Sequence, residues 1–268
     1  ASMINKMIFE QIYFSAMKRS MELSIEKGVY STFNGSPASN GIFQFDMYKT
    51  KTELSSNLKL PWDELKKEVV TNGLRNSLLV ALMPTASTSQ ILGNNECFEP
   101  FTSNMYTRRT IGGEFIVLNK HLVKDLEEKG LWTPDIINQL KANNGSVQDM
   151  AIPGYIKDIY KTSYELSQKV LIDQAADRQR FVCQSQSMNL FMADPNFAKL
   201  SSMHMYGWGK ELKTGIYYLR SKPAVNAIKF TVEKSKVVEK PIDPKDFKAM
   251  IQAGRDAQDD DDCLMCGS

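Results

Sequence analysis

The sequence is poor in cysteine and histidine. Its 268 residues include four cysteines and two histidines, His121 and His204, which lie far apart. Cysteines this sparse do not form the disulfide framework of a small secreted domain. Their positions also fit no zinc-ligand spacing, so we expect the chain to bind no metal or other cofactor itself.

Long apolar runs and an excess of one charge are absent as well. The longest apolar stretch, Leu78 to Met83, is far too short to span a bilayer. Without such a run or a signal-like opening segment, we expect a cytoplasmic protein with no membrane contact. The formal net charge of +2 gives no support to a nucleic-acid partner, which requires a clustered basic face.

Helical and strand-like patterns alternate along the first 222 residues, which predicts an α/β fold with largely parallel strand pairing. Helices are predicted over residues 7–27, 61–72, 120–129, 134–143, 155–178 and 195–212, with Asn119 and Thr133 as two of the N-caps, and strands over 42–46, 78–83, 181–192 and 215–220. Residues 223–268 contain much Lys, Glu, Asp and Pro but few large apolar residues. This composition predicts a flexible tail after a folded region of residues 1–222.

A segment rich in hydroxyl groups follows the apolar run. It consists of Thr85, Ala86, Ser87 and Thr88, and we call it the hydroxyl segment. A junction between a strand and a helix suits an anion such as a phosphate, because free N–H groups and the helix dipole point towards it. The alternative is that these hydroxyls only cap the next helix, and the spacing alone favours this alternative.

Two adjacent tyrosines, Tyr217 and Tyr218, lie in the last predicted strand. Neighbouring strand residues normally point to opposite faces, so the pattern alone favours one tyrosine in the core and one near the surface. The alternative is a pair of redox-active phenols that pass on an electron and a proton.

The chain ends in a Cys-x-x-Cys pair, Cys263 and Cys266, directly after the acidic run from Asp259 to Asp262. Two thiols on a mobile end predict a carrier of reducing equivalents that alternates between dithiol and disulfide. An incidental pair of exposed thiols, or half of an intermolecular metal site, remains the alternative.

Several stretches together resemble the large catalytic subunit of class I ribonucleotide reductase, of eukaryotic type. The resemblance runs from about residue 9 to 230, returns at the chain end, and is carried by residues 76–88, 93–96, 99–104, 184–187, 203–208, 213–220 and 263–268. It implies that the chain is the C-terminal part of a ten-stranded α/β barrel. It also implies an enzyme that replaces the ribose 2′-hydroxyl of a ribonucleoside diphosphate with hydrogen by radical chemistry.

The resemblance also implies a role for each candidate residue. Thr85 to Thr88 would hold the substrate diphosphate. Tyr217 and Tyr218 would carry the radical that a di-iron small subunit supplies. Cys263 and Cys266 would reduce an active-site disulfide and then be reduced by thioredoxin or glutaredoxin. The predicted helices over 155–178 and 195–212 would form the groove for the small subunit's C-terminal peptide.

Other parts of the family's catalytic machinery are not assigned in this chain. The family has an Asn-x-Cys-x-Glu finger loop with the radical cysteine, a pair of redox cysteines and an N-terminal nucleotide-binding region. Residues 95–97 are interpreted as helical and in the wrong order for this motif, so we expect no Asn-x-Cys-x-Glu motif in the chain, and neither Cys97 nor Cys183 is given a role. We therefore expect a fragment or one part of a split subunit that needs the remaining part of the large subunit. The alternatives are a binding and relay module that is inactive alone, and a free-standing dithiol oxidoreductase.

Overall fold

Helices dominate the computed structural model, which describes residues 1–48 and 59–222. In chain order the helices are α1 (Ser2–Lys27), α2 (Trp62–Asn72), α3 (Thr88–Ile91), α4 (Lys120–Glu127), α5 (Pro134–Ala142), α6 (Gly154–Ile159), α7 (Gln168–Gln179) and α8 (Phe197–Gly209), and the strands are β1 (Met105–Thr110), β2 (Gly113–Leu118), β3 (Asn189–Phe191) and β4 (Tyr218–Arg220). Two short 3-10 helices span Pro37–Asn40 and Gln44–Met47. The chain divides into a first unit of residues 1–99 and 168–220 and a second unit of residues 100–167 with residues 221 and 222.

The core of the first unit begins on α1. Phe9, Tyr13 and Met17 are buried at a spacing of four residues, which places them on one face of the helix. They pack with residues of α2, including Trp62. The Glu10 carboxylate is buried between the two helices, and its Oε1 atom accepts hydrogen bonds from Trp62 Nε1 at 3.0 Å and from a neighbouring main-chain N–H. Because this buried charge has good donors, it fixes α1 against α2.

A parallel strand pair lies elsewhere in the first unit. β3 pairs with β4 in the register Asn189↔Tyr218. Outside these strands, a single parallel bridge joins Leu82 to Gln186. A second buried cluster, which includes Ile172 on α7 and Leu190 on β3, supports this sheet. The pairing confirms the predicted parallel arrangement at one place and positions Tyr218 beside Asn189.

The second unit combines an antiparallel hairpin with three helices. Strands β1 and β2 pair from Met105↔Leu118 to Thr110↔Gly113. Asn119 and Thr133 cap α4 and α5 by accepting main-chain N–H bonds, as predicted. The buried Asn104 side chain accepts from Asn119 Nδ2 at 2.9 Å and donates to Gly145 O at 3.0 Å. This amide therefore holds the start of the hairpin to the loop after α5.

Several predicted elements differ from the structure. Residues 78–83 form no continuous strand, because only Leu82 makes a ladder bridge and Leu78 and Met83 are exposed. Residues 42–46 enter a 3-10 helix instead of a strand. The predicted strand over 181–192 is reduced to β3, and that over 215–220 to β4.

The helix predicted over residues 155–178 is two helices, α6 and α7, which belong to different units. Between them the Thr162 N–H binds the Glu165 carboxylate at 2.8 Å, and the Ser163 hydroxyl donates to Pro100 O at 2.7 Å. Such local side-chain bonds compete with helix formation.

The ten-stranded barrel is borne out only in part. Among the described residues the sheets have two strands each, and they close no barrel. No helix in the described ranges is both long and apolar enough to cross a membrane. The predicted tail, with Cys263 and Cys266, lies outside the described residues, and the boundary at residue 222 stays a prediction.

Candidate functional site

The two adjacent tyrosines lie together at the start of β4. The ring centroids of Tyr217 and Tyr218 are 4.3 Å apart, and the side chains are 48% and 52% exposed. The favoured expectation of one core and one surface tyrosine is therefore wrong. A hydrogen bond with Tyr218 is the main reason that the pKa of the Tyr217 phenol lies above its usual value. Contact between the rings and access to solvent suit the exchange of an electron and a proton with another protein.

Main-chain bonds fix the position of this pair. The Tyr217 N–H donates to Met188 O at 2.7 Å, and the Tyr218 N–H donates to the Asn189 side-chain oxygen at 3.1 Å. Asn189 is 3% exposed, so its amide has little freedom to move. The Arg220 guanidinium lies 5.3 Å from the centre of the Tyr218 ring.

The hydroxyl segment is exposed and makes few internal bonds. The Ser87 side chain at the N-cap of α3 makes no capping hydrogen bond, so the structure does not support a capping role for this hydroxyl. Within the described residues, the main-chain N–H groups of residues 85–88 have no recorded partner, whereas the next N–H group, of Ser89, donates to Thr85 O at 2.9 Å. Free N–H groups and hydroxyls can bind an anion. Helix α3 has only four residues, so the expected contribution of its dipole is small.

Thr85 carries backbone strain. Its φ of 54° lies in the left-handed region, which a β-branched residue rarely adopts and which costs about 1–3 kcal/mol. Cys97 also adopts the left-handed region, with a φ of 48°. The Cys97 N–H donates to Thr85 Oγ1 at 3.0 Å, so the two strained residues hold each other. Strain of this kind is typical of binding and catalytic sites.

The Cys97 side chain is held as a thiol. Its Sγ lies 3.1 Å from Pro84 O and 3.9 Å from Met83 O. Burial, followed by the charge of Glu99, raises the pKa of the thiol to about 12. The thiolate is therefore a negligible fraction at neutral pH, and Cys97 is not a reactive nucleophile.

Glu99 lies beside Cys97 and Asn189, and the three residues line one small cavity. Burial raises the pKa of the Glu99 carboxyl above its usual value, and the neighbouring Asn189 and Cys97 side chains partly offset that effect. Within the described part of the chain, the Oε1 atom of Glu99 is buried without a hydrogen-bond partner. Neither the composition nor a motif predicted a role for Glu99 or Asn189, because their contact joins residues far apart in sequence.

A buried arginine lies beside this carboxyl. Arg178 Nε donates to Gln186 Oε1 at 2.6 Å, and the guanidinium lies 4.9 Å from the centre of the Phe98 ring. Burial lowers the pKa of Arg178 to about 10, which still leaves it charged at neutral pH. The cavity lined by Arg178, Cys97, Glu99 and Asn189 has a volume of about 10 Å³, enough for one water molecule at most. The group is therefore a packed polar cluster and not a pocket for a substrate.

A groove of about 640 Å³ follows the first half of α8. Its lining includes Phe197, His204 and Met205, and the Phe197 side chain is 89% exposed. Further along the helix, Trp208 is 75% exposed. The Tyr206 hydroxyl donates to Asp173 on α7 at 2.7 Å, which ties α8 to its neighbour.

The interpretation of residues 95–97 needs correction. They are not helical, because α3 ends at Ile91 and Cys97 lies in a turn. Residues 95–99 read Asn-Glu-Cys-Phe-Glu, which has the order Asn-x-Cys-x-Glu. The stretch overlaps residues 93–96 and 99–104, which already resemble a different part of the family, the region after the hydroxyl segment. Agreement with the motif is therefore not enough to assign Cys97 as the radical cysteine.

The candidate residues fall into two groups in the structure. Cys97 hydrogen-bonds Thr85 of the hydroxyl segment, and Asn189 hydrogen-bonds Tyr218. Cys97, Glu99 and Asn189 line one small cavity, so the hydroxyl segment and the tyrosine pair border the same polar cluster. Cys263 and Cys266 lie outside the described residues.

Known proteins similar to this chain share one description. Residues 1–218 match the family model described as "Ribonucleotide reductase, barrel domain". The chain is 56% identical over 234 residues to the ribonucleoside-diphosphate reductase large subunit of Plasmodium falciparum (isolate Dd2), covering 87% of this chain and 29% of the relative. It is 49% identical over 276 residues to the large subunit of Danio rerio, covering 100% of this chain and 34% of the relative.

A solved structure agrees with these relatives. The class Id ribonucleotide reductase alpha subunit of Actinobacillus ureae superposes with a TM-score of 0.60 at 29% identity, over 82% of this chain and 34% of that one. The chain thus spans about a third of the length of the relatives that it matches. It corresponds to a C-terminal portion of the large subunit, and it belongs to the ribonucleotide reductase family through its barrel domain.

Proposed function

We propose that this chain supplies the radical-transfer and diphosphate-binding part of a ribonucleoside-diphosphate reductase. The observation that carries the proposal is the contact between Tyr217 and Tyr218, whose rings are 4.3 Å apart and about half exposed. Two phenols in contact can pass an oxidising equivalent from one ring to the next: the phenoxyl radical takes up an electron and a proton, and the neighbouring phenol gives up both. The similarity to reductase large subunits supports the same assignment.

The overall reaction balances with the thiols of the chain end. A ribonucleoside diphosphate and a dithiol give a deoxyribonucleoside diphosphate, a disulfide and water. The dithiol supplies two electrons and two protons, the 2′-hydroxyl leaves as water, and a hydrogen takes its place. The radical acts as a catalyst and is regenerated, so it does not enter the sum.

Substrate binding is assigned to the hydroxyl segment. Thr85, Ser87 and Thr88 present exposed hydroxyls, and Ala86 presents a main-chain N–H. These groups suit the oxygens of a diphosphate, because each N–H or O–H can donate to a charged acceptor. The strain at Thr85 and Cys97 fits a loop whose shape serves a ligand.

A di-iron small subunit is the proposed source of the radical. The groove on α8 is lined mostly by apolar groups and is bordered by the exposed Phe197 and Trp208, which suits the apolar side chains of a C-terminal peptide. Thioredoxin or glutaredoxin is the proposed reductant of Cys263 and Cys266, which would deliver electrons to the active-site disulfide.

The alternative is a relay module without catalytic competence of its own. It rests on the absence of an assigned radical cysteine and of an assigned pair of redox cysteines in this sequence. In that case the chain docks the small subunit, holds the diphosphate and transfers the radical, while the remaining part of the large subunit performs the reduction.

Replacement of each tyrosine by phenylalanine tests the proposal. In a complete large subunit carrying these residues, Tyr217→Phe and Tyr218→Phe should each reduce turnover by at least about 100-fold, because a benzene ring has no hydroxyl proton to give up. Binding of the small subunit and of the nucleoside diphosphate should be retained. The measurement is deoxyribonucleotide formation with active small subunit and reductant.

Tyr155→Phe is the matched control, because this tyrosine in the second unit is 50% exposed and lies in no proposed path. It should retain the wild-type rate. If Tyr218→Phe also keeps that rate, the proposed role of the pair is wrong.

A further inference from the structure

The connection between α8 and β4, residues 210–217, is fastened to the rest of the first unit by a lysine. Lys213 is an exposed residue, but its ammonium group donates to Val182 O at 2.7 Å and to Cys183 O at 3.3 Å. It also donates to the Gln44 side-chain oxygen at 2.9 Å. An ammonium group has three N–H donors, so these three acceptors satisfy all of them. Because the donor is charged, each bond is stronger than one between neutral groups.

A buried glutamine holds the main chain of the same connection at two points. Gln179, the last residue of α7, accepts the Lys213 N–H at 3.0 Å and donates to Glu211 O at 2.6 Å. Gln179 is 2% exposed, so its amide has little freedom to move. Glu211 has a φ of 59°, in the left-handed region that residues other than glycine rarely adopt. The bonds of Gln179 therefore hold the connection in a path that it does not favour by itself.

The anchored stretches lead into the tyrosine strand and into its partner. β3 and β4 are parallel, so both strands enter the sheet from the same end. Residues 182 and 183 precede β3 and Lys213 precedes β4, so the Lys213 ammonium group joins the two segments that enter the sheet. Further along, the Tyr217 N–H donates to Met188 O at 2.7 Å. The place of the tyrosines against β3 therefore depends on where Lys213 is held.

We propose that Lys213 and Gln179 are positioning residues for radical transfer, which hold Tyr217 and Tyr218 in place against β3. β4 is three residues long and both phenol rings are about half exposed, so its own pairing and packing restrain the pair only weakly. The inference rests on the proposed role of the tyrosine pair. Lys213 and Gln179 act through the main chain, and neither residue gains or loses an electron.

The consequence is a separation between turnover and substrate affinity. A displacement of about 1 Å at a reacting group can cost about 100-fold in rate. Residues that position the tyrosine pair should therefore affect kcat. They should leave KM for the nucleoside diphosphate nearly unchanged, because the bonds of Lys213 and Gln179 recorded among the described residues do not reach the hydroxyl segment.

The test uses a complete large subunit carrying this chain, with active small subunit, reductant and a ribonucleoside diphosphate. Lys213→Met removes the three donors from a long side chain, and it should lower kcat by about 10-fold, with KM within about twofold of wild type. Lys213→Arg keeps a charged group that can donate to the same oxygens, so it should retain kcat within about threefold. Turnover is expressed per subunit that binds nucleoside diphosphate, so unfolded protein does not lower the measured kcat.

Lys66→Met is the matched control, because it removes another bonded ammonium group of the first unit. Lys66 Nζ lies 2.8 Å from the Asp46 carboxylate, and Lys66 belongs to α2 and not to the connection before β4. This variant should lose thermal stability but retain kcat. Hydrogen exchange of the peptide spanning residues 213–220 should become faster in Lys213→Met and stay unchanged in Lys66→Met.

Three results overturn the inference. The first is a kcat of Lys213→Met within about twofold of wild type. The second is an equal loss of kcat in Lys66→Met, which indicates a general loss of stability. The third is a loss in Lys213→Arg as large as that in Lys213→Met, because the donors then have no effect.

Gln179→Glu decides the question if Lys213→Met does not fold. It keeps an acceptor for the Lys213 N–H but places a carboxylate oxygen opposite Glu211 O, where the amide N–H was. This variant should lower kcat by about 10-fold with KM nearly unchanged, and an unchanged kcat contradicts the positioning role.

The tyrosine variants separate this inference from the function on which it rests. If Tyr218→Phe is active, the proposed function itself fails. If Tyr218→Phe is inactive while Lys213→Met turns over normally, the function stands and only the positioning role of Lys213 and Gln179 is wrong.

Discussion

At the residue scale, the chemistry of Cys97 depends on its surroundings more than on its motif. The sequence of residues 95–99 matches a radical-cysteine pattern, but the thiol lies against Pro84 O. Burial raises its pKa to about 12 and keeps it protonated. Because the Cys97 N–H also donates to Thr85 Oγ1, Cys97 has a structural role beside the hydroxyl segment.

This role predicts the effect of replacing the sulfur. Cys97→Ser keeps a hydroxyl that can donate to Glu99 or to Pro84 O, so we expect a complete large subunit to retain activity within about threefold. A radical cysteine cannot be replaced in this way, because an O–H bond is much stronger than an S–H bond. The measurement is deoxyribonucleotide formation, with Cys183→Ser as a matched loss of one thiol. A complete loss of activity in Cys97→Ser alone would make Cys97 the radical cysteine.

At the element scale, the helices could be predicted from the sequence better than the strands. Caps such as Asn119 and Thr133 act within one turn, so a local pattern is enough to place the start of α4 and α5. The run at residues 78–83 was interpreted as a buried strand, but a strand also needs partners, and only Leu82 has one here. The hairpin of β1 and β2 was missed, because strand pairing is not a local property.

In the candidate site, too, local patterns could be predicted from the sequence and contacts between distant residues could not. The hydroxyl segment and the tyrosine pair could be found from the sequence, because each is a run of neighbouring residues with distinct chemistry. Glu99 and Asn189 could not, since they are far apart in the chain and meet only in the fold. The contact of the two tyrosine rings also went against the alternation rule, because Tyr217 precedes β4 and is not part of the strand.

The loop after α5 packs closely against the start of β1, and this contact gives a test of what stabilises the second unit. Gly145 has a φ of 82°, and a Cβ there would lie 2.8 Å from Met105 N and would overlap Ser103 Oγ. Gly145→Ala should therefore cost more than the backbone term of about 1–3 kcal/mol. The measurement is amide hydrogen exchange of the second unit in a complete large subunit, where protection around β1 and α5 should fall.

Gly130→Ala separates strain from overlap in this experiment. Gly130 has a φ of 66°, but a Cβ added there would meet nothing within 4 Å. Gly130→Ala should therefore lose stability only through the strained backbone conformation. Equal losses of protection in the two variants would show that the close approach at Gly145 is not important for stability.

At the scale of the whole molecule, the proposed function gives this chain only part of the reductase reaction. It spans about a third of the relatives that it matches. Its described residues place a tyrosine pair, a hydroxyl segment and an apolar groove in one unit. No residue is assigned as the radical cysteine or as the active-site disulfide, so under the proposed function the disulfide that Cys263 and Cys266 reduce belongs to the remaining part of the large subunit.

We therefore expect no turnover from these 268 residues alone. With active small subunit, thioredoxin and a ribonucleoside diphosphate, deoxyribonucleotide formation should stay at background, because hydrogen abstraction at the sugar has no assigned thiyl radical. Addition of the part of a relative's large subunit that precedes the matched region should restore activity if the two parts associate. The same mixture with Tyr218→Phe in this chain should remain inactive, which ties any restored activity to the radical path. Deoxyribonucleotide formation by the chain without that addition would contradict the relay interpretation. It would direct attention back to Cys97, which among the described residues lies beside both the hydroxyl segment and Glu99.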